Sequence, residues 1–356
     1  MLLEKQKPKL EKTITHCPYC KSISIVKKGR RKKKMEEAQI YYCKHCQKKF
    51  TSQISKNKTY PLRIILDSIT LHNRLQPLKE ITQKIKERYG IKLSEQTILN
   101  WTKDYRDYLP FLRMRDFVAN KYDPKEIIEE VHLIHGQIYD FKYHRAKTDA
   151  ILDEDFKHYK LRQIKEFLEL VAVECPHNVF RESENRASQY RNFFNPDEVK
   201  IVKKDNMAGK IVRFVMQAVA NNKLRHQVLQ EFMLVNDSVT VGVEVPVLLG
   251  KDDILHFQNQ LNWQVPIDLA DEEVITGHID IVQVRNGAIH IMDYKPSANK
   301  VKPVDQLTLY ALALSRLTSL RLYHFKCAWF DEDDYFEFFP LHVVMKKKKR
   351  LSRSRS

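Results

Sequence analysis

From about residue 207 onward, apolar and polar positions fall into a legible order of elements. The pattern predicts a helix from near Ala208 to Leu234, then strands over 239–249 (VTVGVEVPVLL) and 274–284 (VITGHIDIVQV). The turn RNG, a strand over 288–295 (AIHIMDYK), a helix near 303–320 and strands over 322–330 (LYHFKCAWF) and 335–344 (YFEFFPLHVV) follow. Asn286-Gly287 between two apolar runs is a hairpin signal. The order αβββαββ describes a mixed sheet flanked by helices. Nearer the N-terminus, helices are expected from Pro61 to Asn73 and from Pro77 to Tyr89, with a turn at Gly90 and a third helix opened by Ser94 as N-cap. Residues 111–206 read as a mostly helical region of unknown role, with helices over 123–152 and 155–175.

With 356 residues, 43% of them hydrophobic, the chain can bury at least one large core and divides into two or three domains. No apolar run is long enough to span a bilayer, and the first dozen residues lack the apolar stretch of a signal peptide. The expectation is a soluble, cytoplasmic, nucleoid-associated protein without a membrane partner, or a nuclear one in a eukaryotic host. Charge is segmental. Residues 1–60 hold 17 Lys and Arg against 4 Asp and Glu, and the tail KKKKRLSRSRS adds seven positive charges, although the whole chain is only +17. Basic segments on a near-neutral body are the footprint of nucleic-acid-binding modules. The bland alternative is a solvated arm and a disordered end.

Cys17-x2-Cys20 and Cys43-x2-Cys46 flank 22 residues. Each pair places two thiolates on a tight knuckle, and two knuckles complete a tetrahedral four-sulfur zinc site; redox pairs or iron–sulfur ligation are the competing uses. Zinc would replace a core that some 40 residues cannot supply. Ile23, Ile25, Ile40 and Tyr42 suggest short strands beside the knuckles. In LSEQTILNW, the apolar Leu93, Ile98, Leu99 and Trp101 leave Glu95, Gln96, Asn100 and Lys103 on the polar side. Two helices about a short glycine turn are the helix-turn-helix pattern, whose second helix enters the major groove. The positions Cys17, Pro18, Cys20, Lys28, Gly29, Arg31, Tyr42, Cys43, Cys46, Phe50 and Thr51 resemble the zinc ribbon that opens many insertion-sequence transposases, and the resemblance continues through 60–105. It implies DNA contacts by Lys27, Lys28, Arg30, Arg31, Lys32, Lys33 and Lys34 and by Gln96, Asn100 and Lys103. The catalytic domain of those transposases, with its three acids, has no counterpart here.

Charged residues are normally kept out of strands buried on both faces, so GHIDIVQVRNGAIHIMDYKP, residues 277–296, demands a reason. Asp293 and Lys295, two apart on a strand, project from one face; Asp280 lies on the preceding strand; Gln306 and Tyr310 are one helical turn apart. Two carboxylates can hold Mg²⁺ or Mn²⁺, and a lysine beside them can orient or deprotonate water. His226, Glu244, Gly277, Asp280, Asp293, Tyr294, Lys295, Gln306 and Tyr310 together resemble the RecB-like branch of the PD-(D/E)XK nucleases over 208–343. The resemblance implies a restriction-endonuclease-like α/β core. It gives Asp280, Asp293 and His226 as ligands of the catalytic cation, Lys295 as the residue acting on water, and Gln306 and Tyr310 as positioning groups. Glu244 shapes the sheet edge or the surroundings of the metal. No iron–sulfur cluster is expected. His132, His135 and His144 are ligands by type only; surface or core positions are the expectation, and Cys175 and Cys327 read as buried small hydrophobes.

The domains are therefore expected as a basic arm and zinc ribbon over 1–56, a helix-turn-helix domain over 57–110, the helical region 111–206, a nuclease core over 207–345 and a basic tail over 346–356. The expected function is a metal-dependent DNA endonuclease linked to a mobile element, with structural Zn²⁺. The alternatives are a RecB-like exonuclease that processes ends, or a non-enzymatic regulator with an inactive nuclease fold. A double-strand cutter with one active site per chain would act as a homodimer.

Overall fold

A computed structural model describes residues 16–32, 37–51, 60–135, 137–182, 185–194, 199–219 and 221–345. The chain divides into two compact units, Met1–Pro124 with Lys210–Ser238, and Lys125–Gly209 with Val239–Ser356. Among the described residues, no helix is long and apolar enough to cross a membrane.

The first unit opens with three antiparallel strands in the order β1 (Ile25–Lys32), β2 (Glu37–Cys43) and β3 (Lys49–Thr51). Their small core is Cys17, Tyr41, Cys43 and Phe50, with the Tyr41 and Phe50 rings stacked. The strands expected beside the knuckles form, but Gln39, Tyr41 and Cys43 are the buried set on β2, and Ile23 is exposed. Cys43 must face the other cysteines, and the two-residue period of a strand carries Tyr41 to the same side.

Three helices follow: α1 (Leu62–Asn73), α2 (Leu78–Tyr89) and α3 (Glu95–Asp104). Gly90 ends α2 in the left-handed region at φ 69°, and its N–H donates to the Lys86 carbonyl. Only glycine adopts that conformation without steric cost. Ser94 opens α3 as expected, its hydroxyl accepting from the Thr97 N–H at 3.2 Å. Ile81, Ile85, Ile98 and Trp101 are buried, while Glu95, Gln96, Asn100 and Lys103 are exposed. A short helix α4 (Arg115–Lys121) follows.

The single helix expected from Ala208 to Leu234 is instead two, α8 (Met207–Val215) and α9 (Arg225–Asn236). Past the end of α8, the Asn221 side chain accepts from the Lys223 N–H at 3.0 Å and starts the turn that leads into α9, the local bond that makes asparagine a capping residue. α9 packs on α1, where Asn73 donates to Asn236 at 2.8 Å and Asn236 donates to Thr70 at 3.1 Å.

The second unit is built on eight strands in the order β4 (Glu129–His135), β5 (Gln137–Tyr143), β7 (Thr240–Gly250), β8 (Val274–Arg285), β9 (Ala288–Tyr294), β10 (Phe325–Phe330), β11 (Tyr335–Phe338) and β6 (Val202–Lys203). Among the described strand pairs of this sheet, β9–β10 is the parallel one, which requires a crossover. The helix α11 (Val304–Thr318) makes it and packs on β7, β8, β9 and β10. The helix α6 (Gln163–Val173) lies against α11 and β7. The remaining short helices are α5 (Arg145–Leu152), α7 (His177–Glu182), α10 (Lys251–Leu255) and α12 (Pro340–Val344). A mixed sheet flanked by helices is the restriction-endonuclease-like architecture that the element order implies. Asn286 and Gly287, at φ 53° and 71°, make the tight β8–β9 turn.

Two local expectations change. Residues 129–135 and 137–143 are the paired strands β4 and β5, not helix: Leu133, His135 and Phe141 are buried while His132 and Ile134 are exposed. The two-residue alternation of VHLIH, together with a place in the ladder beside β7, outweighs the helix-forming Glu and Lys around it. The last strand stops at Phe338, because Pro340 has no N–H to give a ladder and opens α12.

Candidate active site

Pairing alone brings the acids together. On β8 and β9, Ile281 faces Met292, so the next position along sets Asp280 opposite Asp293. On β7 and β8, Val243 faces Ile281 and Val245 faces Ile279, which sets Glu244 opposite Asp280. Glu244, Asp280 and Asp293 thus occupy adjacent positions across three neighbouring strands, each about 4.8 Å from the next. Glu244 holds φ 50°, a left-handed conformation that costs a non-glycine residue energy and recurs at functional sites.

Asp293 is 2% exposed, and Lys295 Nζ lies 2.7 Å from its Oδ2. Burial, then the neighbouring Asp280, holds the Asp293 carboxyl well above the ordinary carboxylate range, with Lys295 pulling it back. The Tyr294 N–H points at Asp280 Oδ2, 3.4 Å away. From α11, Gln306 donates to the Tyr310 hydroxyl at 3.0 Å. Burial raises that hydroxyl's pKa, the Gln306 contact lowers it, and the fields of Asp280, Asp293 and Glu244 raise it further. The structure therefore gathers Glu244, Asp280, Asp293, Lys295, Gln306 and Tyr310 in one unit, as the motif order implies.

Gly277 makes room for this arrangement. A Cβ there would stand 2.3 Å from Tyr310 Cε1. Gly277→Ala is expected to cost about 1–3 kcal/mol, which lowers the melting temperature by about 2–4 °C per kcal/mol in a domain of this size. A thermal melt checks it, and an unchanged midpoint would mean that Tyr310 yields freely.

A clamp behind Lys295 escaped the sequence reading. The Lys295 N–H donates to the Phe330 carbonyl at 3.0 Å. In the loop beyond it, the Ala298 N–H donates to Asp331 Oδ2 at 2.7 Å and the Ala298 carbonyl accepts from Trp329 Nε1 at 2.9 Å. Asp331 Oδ1 also accepts from the N–H groups of Asp333 and Asp334 at 2.8 Å. The signal available was DEDD after an apolar strand, since aspartate caps turns of its own chain.

His226 is on the first turn of α9, in the first unit. His132 is a surface residue paired to Asp140 at 2.8 Å, and buried His144 caps α5. Cys327 is fully buried, its thiol donating to the Leu307 carbonyl. Lys27, Lys28, Arg30 and Arg31 are exposed on β1, and Gln96, Asn100 and Lys103 on α3. Lys33, Lys34, the side chain of Lys32 and the 346–356 tail lie outside the described residues.

The four N-terminal cysteines converge. Cys17 and Cys46 sulfurs are 3.5 Å apart, Cys20 and Cys43 sulfurs 3.6 Å, and all four lie within 4.8 Å of one another. A tetrahedral site with Zn–S of about 2.3 Å has edges of about 3.8 Å, so the set fits zinc. Burial opposes ionisation of Cys17, but N–H groups of Cys20 and Tyr19 bring its thiol down to about 6. Ser22 favours the Cys20 thiolate, yet burial and the other cysteines push it up to about 12. A bound cation is what lets all four be thiolates together.

Residues 160–334, which take in α6 and β6 through β10, match the PD-(D/E)XK nuclease superfamily. The chain is also 36% identical over 101 residues to the insertion element ISM1 uncharacterized 48.3 kDa protein of Methanobrevibacter smithii. That similarity covers 24% of this chain and 25% of the relative, so the chain spans about a quarter of that protein's length. No solved structure matches the chain.

Proposed function

Because residues 160–334 form a PD-(D/E)XK nuclease domain, we propose that the protein is a metal-dependent DNA endonuclease, targeted by its zinc ribbon and helix-turn-helix and linked to a mobile element. The observation that carries the reading is the row of Glu244, Asp280 and Asp293 across β7, β8 and β9, with Lys295 2.7 Å from Asp293. The insertion-element relative supports the mobile-element link.

A buried Asp293 beside the partly buried Asp280 and Glu244 fits a hard divalent cation, which their oxygens accept and their charges require. Asp280 and Asp293 would hold Mg²⁺ or Mn²⁺, with Glu244 beside them. The bound cation supplies charge neutralisation at the scissile phosphate and a lowered pKa for water. Lys295 Nζ, anchored on Asp293 Oδ2, directs its remaining protons at the attacking water and the phosphate oxygen. Tyr310, tied to Gln306, packs over Gly277 and keeps the acid row closed on the α11 side. Exposed Lys27, Lys28, Arg30 and Arg31 contact phosphates, so affinity falls steeply with salt. Gln96, Asn100 and Lys103 face the major groove from α3.

The test is cleavage of supercoiled, linear and single-stranded DNA with Mg²⁺, Mn²⁺ or EDTA. Metal-dependent nicking or linearisation of closed circles is expected. Degradation confined to free ends would replace the endonuclease with an end-processing exonuclease. DNA binding without any cutting would leave a regulator on an inactive nuclease fold.

A further inference from the structure

Away from the carboxylate row, the second unit gathers a different kind of donor. His135 ends β4, Cys175 lies in the link between α6 and α7, and His177 opens α7. His135 Nε2 stands 3.1 Å from His177 Nδ1 and 3.8 Å from Cys175 Sγ, and one ligand atom from each of the three lies within 4.8 Å of the others. The geometry points to a second zinc site, distinct from the ribbon, with His135, Cys175 and His177 as its protein ligands.

The two distances from His135 are close to those of a zinc tetrahedron. With Zn–N of about 2.0–2.1 Å and Zn–S of about 2.3 Å, a tetrahedron has N···N edges of about 3.3 Å and N···S edges of about 3.6 Å. Two imidazoles and a thiolate select zinc over magnesium or calcium, which take oxygen ligands. The surroundings hold His135 in place. Its Nδ1 is 2.8 Å from His278 Nε2, leaving Nε2 aimed at Cys175 and His177. Phe180 stacks on its ring with centroids 4.2 Å apart, and Arg186 donates to its carbonyl at 3.3 Å. A ligand histidine whose other nitrogen and ring plane are fixed by neighbours is the usual arrangement around zinc. His135 is 1% exposed, whereas Cys175 and His177 are half-buried, so water completes the fourth position from their side. His278 lies on β8 two residues from Asp280, so zinc would pin β4 and α7 beside the strand that carries the acid row. By sequence, His135 reads as a surface or core histidine and Cys175 as a buried small hydrophobe, with 40 positions between them.

The test is zinc content of the full-length protein, desalted without chelator. Wild type is expected to hold two zinc ions per chain, and Cys175→Ser and His177→Ala one each. Asp280→Asn/Asp293→Asn is expected to keep two, which separates this zinc from the carboxylates. One zinc in the wild type, unchanged in His177→Ala, would overturn the site. Stability does not decide the result, because Co²⁺ added to the Cys43→Ser/Cys46→Ser protein reads the site without altering it. A tetrahedral visible spectrum with a single-thiolate charge-transfer band, lost on adding Cys175→Ser, is expected. No such band in a protein with native circular dichroism for the second unit would sink the proposal.

Discussion

Lys295→Ala and Asp293→Asn are expected to bind DNA as the wild type does and to cut it at least about a hundredfold more slowly, the usual loss on removing a group that acts on the attacking water. Both side chains sit at one point of the sheet, the lysine 2.7 Å from a carboxylate that is 2% exposed. Their stabilities should diverge. Burying Asp293 next to Asp280 disfavours its ionised form, and its carboxyl titrates well above the ordinary range. The folded, metal-free protein therefore binds a proton there that the unfolded chain, with a carboxyl near pH 3.9, has already released. Stability is lost as pH rises through that window, and Asp293→Asn, which cannot ionise, escapes the loss. In metal-free buffer its melting temperature should exceed that of wild type, increasingly so at higher pH. Mn²⁺ should reverse the order: at a hundred times its dissociation constant, a cation that binds only the folded state adds about 2.7 kcal/mol to the wild type. Cleavage rates and melts with and without Mn²⁺ check both halves. An active Asp293→Asn protein, or one that gains as much from Mn²⁺ as wild type, would remove Asp293 from the site.

Cys43→Ser is expected to unfold the ribbon while the second unit stays folded. Among the described residues, the ribbon's buried core is Cys17, Tyr41, Cys43 and Phe50, with Cys20, Ile25 and Cys46 packed against it. So few side chains cannot offset the entropy of ordering the knuckles, whereas a structural zinc supplies on the order of 10 kcal/mol. With the ribbon unfolded, the cations of β1 are no longer held as one surface. DNA affinity should fall at least about tenfold, with a shallower dependence on salt. Fluorescence anisotropy at several salt concentrations measures this, and chelation of the wild type should reproduce it. Undiminished affinity would move DNA recognition elsewhere in the chain.

Much of this protein is local and therefore visible in its sequence. Cys-x2-Cys sets two thiolates on one knuckle whatever surrounds them. Gly90 and Ser94 bound their helices through their own backbone and side chain, and Asn286-Gly287 sets a turn that needs no partner. Asp280 and Asp293 stood out too, because they are charged positions on strands whose apolar pattern otherwise excludes charge. The clamp behind Lys295 did not, since Trp329 and Asp331 reach Ala298 only across the β9–β10 crossover. The helix that periodicity had run through stops at Val215, and Asn221 caps a new turn before α9 through its own side chain. Residues 129–135 and 137–143 became strands because β7 offers a ladder, and ladder bonds are made between segments far apart in the chain. The same hairpin delivered His135 to Cys175 and His177. The sequence by itself determined the capped helices, the knuckles and the tight turn, all properties of a few consecutive residues and their period. Only the tertiary structure decided the sheet order, the left-handed Glu244, the space that Gly277 leaves for Tyr310 and the histidine–cysteine cluster, because each depends on which distant segments pair.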